Sequence, residues 1–194
     1  MTGEPPALLI LKPEPLLPLP LLQVGVLVGH AAGGRELVLE ALRTPDHEGL
    51  AAASLDGGTA VAGAQRSGRK STGGSGSSSA APALRIDAEW VSEHAAQVAR
   101  LLPGGLSICG VYVACPVASL GASTGALVAL LGELQEEAGG EAVAPSLVLH
   151  VDMPSGRLAL KEQRAGESTL QPCEVKSSDV RGQLVTLVAR WVGD

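Results

Sequence analysis

The 194-residue sequence contains no phenylalanine, one tyrosine and two tryptophans, so aromatic residues make up only 2% of it. A core without large rings has to be built from leucine, valine and alanine, and the chain is long enough to bury one substantial core of that kind. Positive charge is scarce as well: 14 lysines and arginines stand against 20 aspartates and glutamates, which gives a net charge of −6. This balance excludes the basic surface that nucleic-acid-binding proteins need.

Cysteine is also scarce. The chain has three cysteines, and an odd number argues against a framework of paired disulfides. Cys109 and Cys115 are predicted to share one face of a strand, where six residues at about 3.3 Å each separate them by about 20 Å, far beyond the reach of a disulfide. Cys173 stands alone in the sequence. All three are therefore predicted to be reduced thiols of a cytosolic protein.

The long apolar stretch at residues 7–28 is interrupted by four prolines and two charged residues. Each backbone break inside a bilayer needs a replacement hydrogen-bond partner, so this stretch is a poor membrane span. It also lacks the basic start and the small-residue cleavage site of a signal peptide. Residues 1–20 are predicted to form a disordered leader rich in proline and leucine, and the chain is expected to be soluble, without a membrane span.

Apolar periodicity predicts a single domain over residues 21–194. The predicted elements are strands at 21–29 and 35–43 joined by a turn at 30–34, a helix at 86–102, a strand at 106–115, a helix at 119–137, and strands at 146–151, 157–161 and 183–192. Asp87 is the predicted N-cap of the first helix, and the strand after it is apolar on both faces. Residues 47–83, rich in glycine, serine and alanine, are predicted to be a disordered insertion. The order predicts an α+β or mixed α/β fold with a central twisted sheet flanked by two main helices.

Most motifs that could carry chemistry are absent or incomplete. The four histidines lack the short spacing of metal ligands, so each is expected to be a hydrogen-bonded structural residue. Residues 63–72 resemble a phosphate-binding loop, but Arg69 separates the second glycine from the lysine, which favours a solvated linker. A Ser-His-Asp catalytic triad is not excluded by sequence spacing, because its three residues come together only in the folded structure. However, the sequence contains no G-x-S-x-G nucleophile elbow. The carboxylates of the predicted hairpin and first helix are expected to be ordinary solvated groups: Glu36, Glu40, Asp87, Glu89 and Glu93.

Residues 110–116, GVYVACP, resemble the end of a strand in the MPN (JAB1/MPN/Mov34) fold. In catalytic members of that fold, two histidines separated by one residue bind zinc with a downstream aspartate, and an upstream glutamate acts on the zinc-bound water. Here Val113 and Cys115 occupy the histidine positions. The Ser-x-x-Asp pattern expected after the proline is also missing, because Ala126 stands three residues after Ser123. The resemblance therefore implies a degenerate MPN-like sandwich that is not an enzyme and holds no metal or cofactor.

A longer and more specific resemblance begins at residues 25–29 (GVLVG) and 42–45 (LRTP) and extends through 89–106 and 110–111. These segments are similar to the odorant response abnormal protein 4-like family, and the similarity covers roughly residues 22–192 outside the insertion. The predicted partner or family-motif residues are Glu89, Trp90, Glu93, His94, Gln97, Arg100, Pro103, Gly104 and Gly105.

The family resemblance implies a non-catalytic adaptor that assists folding and trafficking of seven-helix, odorant-type receptors. It also implies recruitment of a ubiquitin-fold-modifier-specific cysteine protease to the cytoplasmic face of the endoplasmic reticulum, by pairing of two MPN-like domains. Family members continue into a C-terminal region with a membrane anchor. The chain is therefore expected to be either a fragment or a soluble subunit held by its partner.

Two other functions stay open at this point. One is an MPN-type zinc isopeptidase whose ligands lie outside the expected motif, and the other is a receptor-trafficking factor that needs no protease partner. The helix around Trp90 and His94 provides either a partner face or core packing. For Trp90 the core is favoured, because aromatic residues on an apolar stripe are usually buried.

Overall fold

A computed structural model of the chain describes residues 8–10, 22–32, 35–56, 82–137, 145–153, 155–164, 167–173 and 175–177. The strands within them are β1 (Leu8–Ile10), β2 (Gln23–Ala32), β3 (Arg35–Arg43), β4 (Ala53–Leu55), β5 (Leu84–Ile86), β6 (Ser107–Cys115), β7 (Leu147–Asp152), β8 (Leu158–Gln163), β9 (Leu170–Cys173) and β10 (Val175–Ser177). The helices are α1 (Ala88–Leu101), α2 (Val117–Ala122) and α3 (Thr124–Glu137). Among these helices, none combines the length and the hydropathy that crossing a bilayer requires.

Eight strands form one central sheet in the order β10-β1-β3-β2-β6-β7-β8-β9, and β4 and β5 form a separate two-stranded sheet. Strand β6 pairs antiparallel with β2 and parallel with β7. Strands β9 and β10 lie at opposite edges of the sheet, although one residue separates them in sequence. The sheet therefore curls on itself. The predicted mixed α/β class is confirmed, with a curled central sheet.

Strand β6 is buried from Ile108 to Cys115, which confirms the prediction of a strand covered on both faces. Its helix-facing side chains join a core cluster with residues of α1, α2 and α3. On the concave face, Tyr112 belongs to a second cluster inside the curl. The ring of Tyr112 lies across Gly25, where a Cβ atom would be 2.4 Å from the ring carbon Cε1. Only glycine permits this close approach of side chain to backbone.

A β-bulge in β6 corrects the prediction for the cysteines. The pairing with β2 shifts register here, so that Gly110 lies opposite Leu27 and Ile108 opposite Val28. The extra residue, Cys109, lies in the cluster inside the curl, whereas Cys115 lies in the cluster under the helices. The prediction that these two cysteines share a face is wrong, because a bulge reverses the alternation of side chains. All three cysteines are free.

The predicted N-terminal hairpin is confirmed by the antiparallel pairing of β2 and β3, but its first strand is longer than predicted. Strand β2 continues to Ala32, so residues 30–32 belong to the strand and not to the turn. The prediction of a disordered leader is wrong for Leu8–Ile10, which pair with both β3 and β10. This apolar tripeptide lies between Pro6 and Pro13, so its backbone N–H groups are free to take part in a strand ladder. The rest of the leader lies outside the described residues.

The prediction of a disordered insertion is wrong at both of its ends. Strand β4 pairs with β5, and Ala53 and Leu84 are buried in the cluster under the helices. Residues 47–56 and 82–83 therefore belong to the described fold, in which Ala52 and Ala53 are buried while residues 47–51 are exposed. Residues 57–81 lie outside the described residues.

The second predicted helix is two helices, because α2 ends at Ala122 and α3 begins at Thr124. Between them, the buried hydroxyl of Ser123 donates to the carbonyl oxygen of Ser119 at 2.8 Å and accepts from the backbone N–H of Leu84 at 2.6 Å. Serine side chains that bond to nearby backbone compete with the helix, and this one also binds a strand. The hydroxyl of Ser123 thus joins the helix junction to β5.

The predicted strands at 146–151 and 157–161 correspond to β7 and β8, which pair antiparallel with each other. The short strands β9 and β10 were not predicted. The predicted strand at 183–192 lies outside the described residues.

Substitution Ser123→Ala is expected to lower the free energy of unfolding by about 1–3 kcal/mol, because the buried N–H of Leu84 loses its acceptor. Urea denaturation of the two proteins measures the difference. Thr124→Ala is the matched control, since its hydroxyl only approaches helix carbonyl oxygens at 3.3 and 3.4 Å, and a change within about 0.5 kcal/mol is expected there. Equal losses in both variants would contradict the role of Ser123.

Candidate functional site

The end of β6 is the place where the MPN resemblance puts zinc ligands. Val113 and Cys115 are both 0% exposed and lie in the cluster under the helices. The parallel pairing with β7 places Val113 opposite His150 and Cys115 opposite Asp152. However, His150 Nε2 donates to the backbone carbonyl oxygen of Cys115 at 2.8 Å, so this ring nitrogen is already used. Val113 has no donor atom to offer.

The thiol of Cys115 is a poor metal ligand in this environment. Burial, followed by the nearby charge of Asp152, raises the pKa of Cys115 to about 11. Metals and electrophiles react with the thiolate, and a thiol with this pKa stays protonated at neutral pH. Across the described parts of the chain, no three histidine, cysteine, aspartate or glutamate side chains come together as a metal site. The residues at this strand end therefore do not fit the zinc of the MPN fold.

Helix α1 carries most of the family-motif residues, and its sequence explains its position. Asp87 Oδ1 accepts from the backbone N–H of Trp90 at 3.1 Å, which confirms the predicted N-cap. Val91 and Ala95 are buried against the sheet, while Glu89 and Glu93 face outward and are exposed. The acidic outward face of α1 is thus a direct consequence of its helical periodicity.

The two family-like segments, 42–45 and the start of α1, contact each other. The indole Nε1 of Trp90 donates to the carbonyl oxygen of Pro45 at 2.7 Å. One turn further, His94 Nδ1 lies 3.1 Å from the hydroxyl oxygen of the buried Thr44. These pairs are 45 and 50 residues apart in sequence. The hydrogen bond confirms that His94 is a hydrogen-bonded structural histidine.

A tight turn adds a second aromatic ring to this contact. His47 and Leu50 exchange two backbone hydrogen bonds of 2.9 and 2.8 Å around Glu48 and Gly49, both of which have positive φ. The turn places the ring of His47 on that of Trp90, with centroids 4.3 Å apart and planes inclined by 13°. The side chain of Leu50 is left 70% exposed at the tip of the turn.

An acidic groove of about 880 Å³ lies between α1 and α3, next to the stacked rings. It is lined by six exposed carboxylates and three other side chains, namely Asp87, Glu89, Glu93, Glu133, Glu136 and Glu137, with His47, Trp90 and Ser92. No lysine or arginine is among these lining residues. The groove therefore combines a negative potential with a flat aromatic surface, both of which attract cationic groups.

The structure brings only part of the predicted family-motif set into the groove. Glu89, Trp90 and Glu93 line it, and His94 supports the wall from behind. The other members are not among the lining residues, namely Gln97, Arg100, Pro103, Gly104 and Gly105. Gln97 donates to Glu93 at 2.9 Å. Gly105, at φ 89°, turns the chain after α1, and its carbonyl oxygen bonds to the ring of His30 at 2.5 Å.

Two sequence-based interpretations need correction at this point. Trp90 packs against the helix-side cluster as predicted, but it is only half-buried and also forms part of the groove wall. Glu36 is not an ordinary solvated carboxylate: burial, and then the charge of Glu162, raise its pKa to about 7, partly offset by a hydrogen bond from Ser146. The available signal was the alternation of β3, which puts Glu36 on the same face as the buried Val38.

Comparison with known proteins gives one family. The model of the family described as odorant response abnormal 4-like matches residues 25–191. A "Protein odr-4 homolog" from Xenopus tropicalis is 30% identical over 89 residues, which is 46% of this chain and 15% of that protein. Homologues with the same description from Xenopus laevis and Mus musculus are 64% and 54% identical over 28 residues, or 14% of this chain and 6% of theirs. The matched parts thus span 15% or less of the length of these relatives.

The contact between His94 and Thr44 predicts a pH dependence of stability. Burial lowers the pKa of His94 below its ordinary 6.5, so the unfolded chain binds the proton more readily than the folded one. The contribution of neutral His94 to the free energy of unfolding is fully present above pH 6.5, and it decreases as the pH falls below 6.5. Between pH 7.5 and 5.5, the wild type is expected to lose about 2 °C more in Tm than His94→Asn does, measured by circular dichroism.

The exposed His30 provides the control for this measurement. His30→Asn is expected to keep the wild-type loss of Tm at low pH. If His94→Asn loses as much Tm as the wild type, the proton is not taken up at His94.

Proposed function

Because the chain belongs to the odorant response abnormal 4-like family, we propose that it is a non-catalytic adaptor for folding and trafficking of seven-helix, odorant-type receptors. It acts at the cytoplasmic face of the endoplasmic reticulum and recruits a ubiquitin-fold-modifier-specific protease there. One observation carries the proposal: three family-motif residues, Glu89, Trp90 and Glu93, line an exposed acidic groove.

The absence of catalysis is supported by the end of β6. Val113 offers no ligand atom, and the thiol of Cys115 is held protonated by burial and by Asp152, with a pKa of about 11. Hydrolysis by an MPN-type enzyme needs a metal to generate hydroxide from water at neutral pH. A degenerate MPN-like domain with these side chains keeps the scaffold of such an enzyme and loses its chemistry.

A protein-binding role is supported by the form and charge of the acidic groove. Its carboxylates are exposed, and in the described structure neither Glu89 nor Glu93 takes part in an ion pair. The half-exposed rings of Trp90 and His47 provide a rigid wall for a lysine or arginine side chain. The MPN-like domain of the protease is therefore expected to meet this groove with a basic segment, and the charges accelerate and orient the encounter.

Charge reversal in the groove tests the partner face. The double variant Glu89→Lys/Glu93→Lys is expected to weaken binding of the purified ubiquitin-fold-modifier-specific protease by about tenfold or more, since attraction becomes repulsion. Isothermal titration calorimetry at two salt concentrations measures the affinity. The wild-type affinity should fall as salt increases, because the charges are exposed.

Glu40→Lys is the matched control, because Glu40 is exposed on β3 and is not part of the groove lining. It is expected to bind the protease like the wild type. Equal affinities of the double variant and the wild type would remove the groove from the interface. A wild-type chain that does not bind the protease would contradict the proposed partner itself.

Metal analysis tests the non-catalytic assignment independently of any partner. Protein purified without chelators and dialysed is expected to contain far less than one zinc per chain, because the strand end presents Val113 and a protonated Cys115. Inductively coupled plasma mass spectrometry measures the ratio. Stoichiometric zinc would favour the alternative, an isopeptidase with atypical ligands.

A further inference from the structure

The interior of the curled sheet is apolar in its middle and polar at one end. The apolar part consists of Leu27, Val38, Leu147, Leu149 and Leu160. At the end where β3, β6 and β7 begin lie five side chains from five segments, and we call them the polar end: Glu36, Cys109, Ser146, Glu162 and Cys173. Ser146 links its two sides, because its hydroxyl approaches Glu36 while its carbonyl oxygen accepts at 2.8 Å from the backbone N–H of Gln163, the residue next to Glu162.

Hydrogen bonding at the polar end is weak. Glu36 Oε1 accepts from the hydroxyl of Ser146 at 3.5 Å, and Glu162 Oε2 accepts from the thiol of Cys173 at 3.6 Å. The second oxygen of Glu36, Oε2, is buried and has no partner among the described residues. A buried ionised oxygen without a partner costs free energy, whereas a protonated carboxyl can itself donate a hydrogen bond.

The charges around Glu36 do not compensate for its burial. The carboxylate of Glu162 on β8 faces Glu36. The thiols of Cys109 on β6 and Cys173 on β9 face it as well, and their raised pKa values mean that both thiols are protonated and uncharged. The neighbouring strand β2 places Ala31 opposite Glu36. Among the described side chains, Arg164 is a basic group at this end, and it acts on Cys173.

The other two neighbours bring no charge to Glu36. The segment before β7 contributes the neutral hydroxyl of Ser146, and β1 is the tripeptide Leu8–Ile10. Both ion pairs of the described chain lie elsewhere, at Arg43–Asp46 and Arg85–Asp56.

We propose that Glu36 and Glu162 form a proton-sensitive contact that controls how tightly the β8–β9 hairpin closes on β3. When the carboxyl of Glu36 is protonated, only one negative charge remains between the two side chains. Loss of that proton leaves two like charges facing each other in a poorly hydrated space, and they repel. Strand β9 is an edge strand that pairs, among the described strands, with β8 alone, although a single residue joins it to β10 at the opposite edge. Loosening is therefore expected to appear first in the β8 and β9 amides, without release of the hairpin from the sheet.

The direction of the effect follows from linkage. Burial and the charge of Glu162 raise the pKa of Glu36 from 4.5 to about 7 in the closed form. In the open form the carboxyl is hydrated and returns to its ordinary value. The closed form therefore binds the proton more tightly, and closure weakens as the pH rises from 6 to 8. The contact is closed in mildly acidic solution and loosened in mildly basic solution.

Amide hydrogen exchange of the full chain at pH 6 and pH 8 tests the proposal. After correction for the intrinsic exchange rate, protection of the β8 and β9 amides is expected to fall about five- to tenfold between the two pH values, the change for a group titrating near 7. Amides of α1 are expected to keep their protection. Glu36→Gln, which keeps the shape of the side chain without its charge, should remove the pH dependence in β8 and β9.

Two further variants complete the test. Glu162→Gln removes the opposing charge and should reduce the pH dependence without abolishing it, because burial is the larger cause of the raised pKa of Glu36. The proposal therefore stays testable if Glu36→Gln does not fold. Glu40 lies on β3 like Glu36 but is exposed, so Glu40→Gln should leave the pH dependence of protection in β8 and β9 unchanged. A wild type without pH dependence in β8 and β9 would overturn the proposal, as would a Glu36→Gln protein that retains it in full.

Discussion

Both faces of strand β6 are buried, and each face requires its own cover. On one face, α1, α2 and α3 supply aliphatic side chains that enclose Val111 and Val113. On the other, the sheet curls until its own strands cover Tyr112. The close approach of neighbouring strands depends on small residues: a Cβ atom at Gly110 would lie 2.0 Å from the carbonyl oxygen of Leu147. With no phenylalanine, one tyrosine and two tryptophans, the chain has few large rings to fill these spaces, so close approach of the backbones replaces much of the side-chain volume.

The burial that stabilises β6 also decides where function can lie. Each fully buried valine stabilises the folded state by about 1.5–3 kcal/mol. The end of β6 is therefore part of the hydrophobic core, at the position where a zinc enzyme of the MPN fold would keep its ligands. Val113 and Cys115 therefore contribute packing at this strand end. The outward face of α1 is not part of the core, and its exposed carboxylates lie in a groove beside the stacked rings of Trp90 and His47.

The excess of negative charge is distributed between two environments with different consequences. In the acidic groove the carboxylates are hydrated, and their repulsion is screened by water and salt. Glu36 and Glu162 instead meet inside the curled sheet, where burial and mutual repulsion shift the equilibrium toward the protonated form. Glutamate thus lies hydrated on the surface in one place and buried with a raised pKa in another, and the difference in hydration accounts for the difference in pKa.

The sequence by itself determined the elements whose signals are local. It defined β3 to the residue, the N-cap at Asp87 and the two-sided burial of β6, because periodicity and capping depend on neighbours within a few positions. Only the tertiary structure decided the bulge at Cys109, the break at Ser123, whose hydroxyl accepts from an N–H 39 residues away, and the meeting of Glu36 with Glu162. The motif residues of the candidate site could be named from sequence, but the acidic groove could not. A groove, a bulge and a raised pKa arise from groups distant in sequence that packing brings together, and no local pattern records which groups these are.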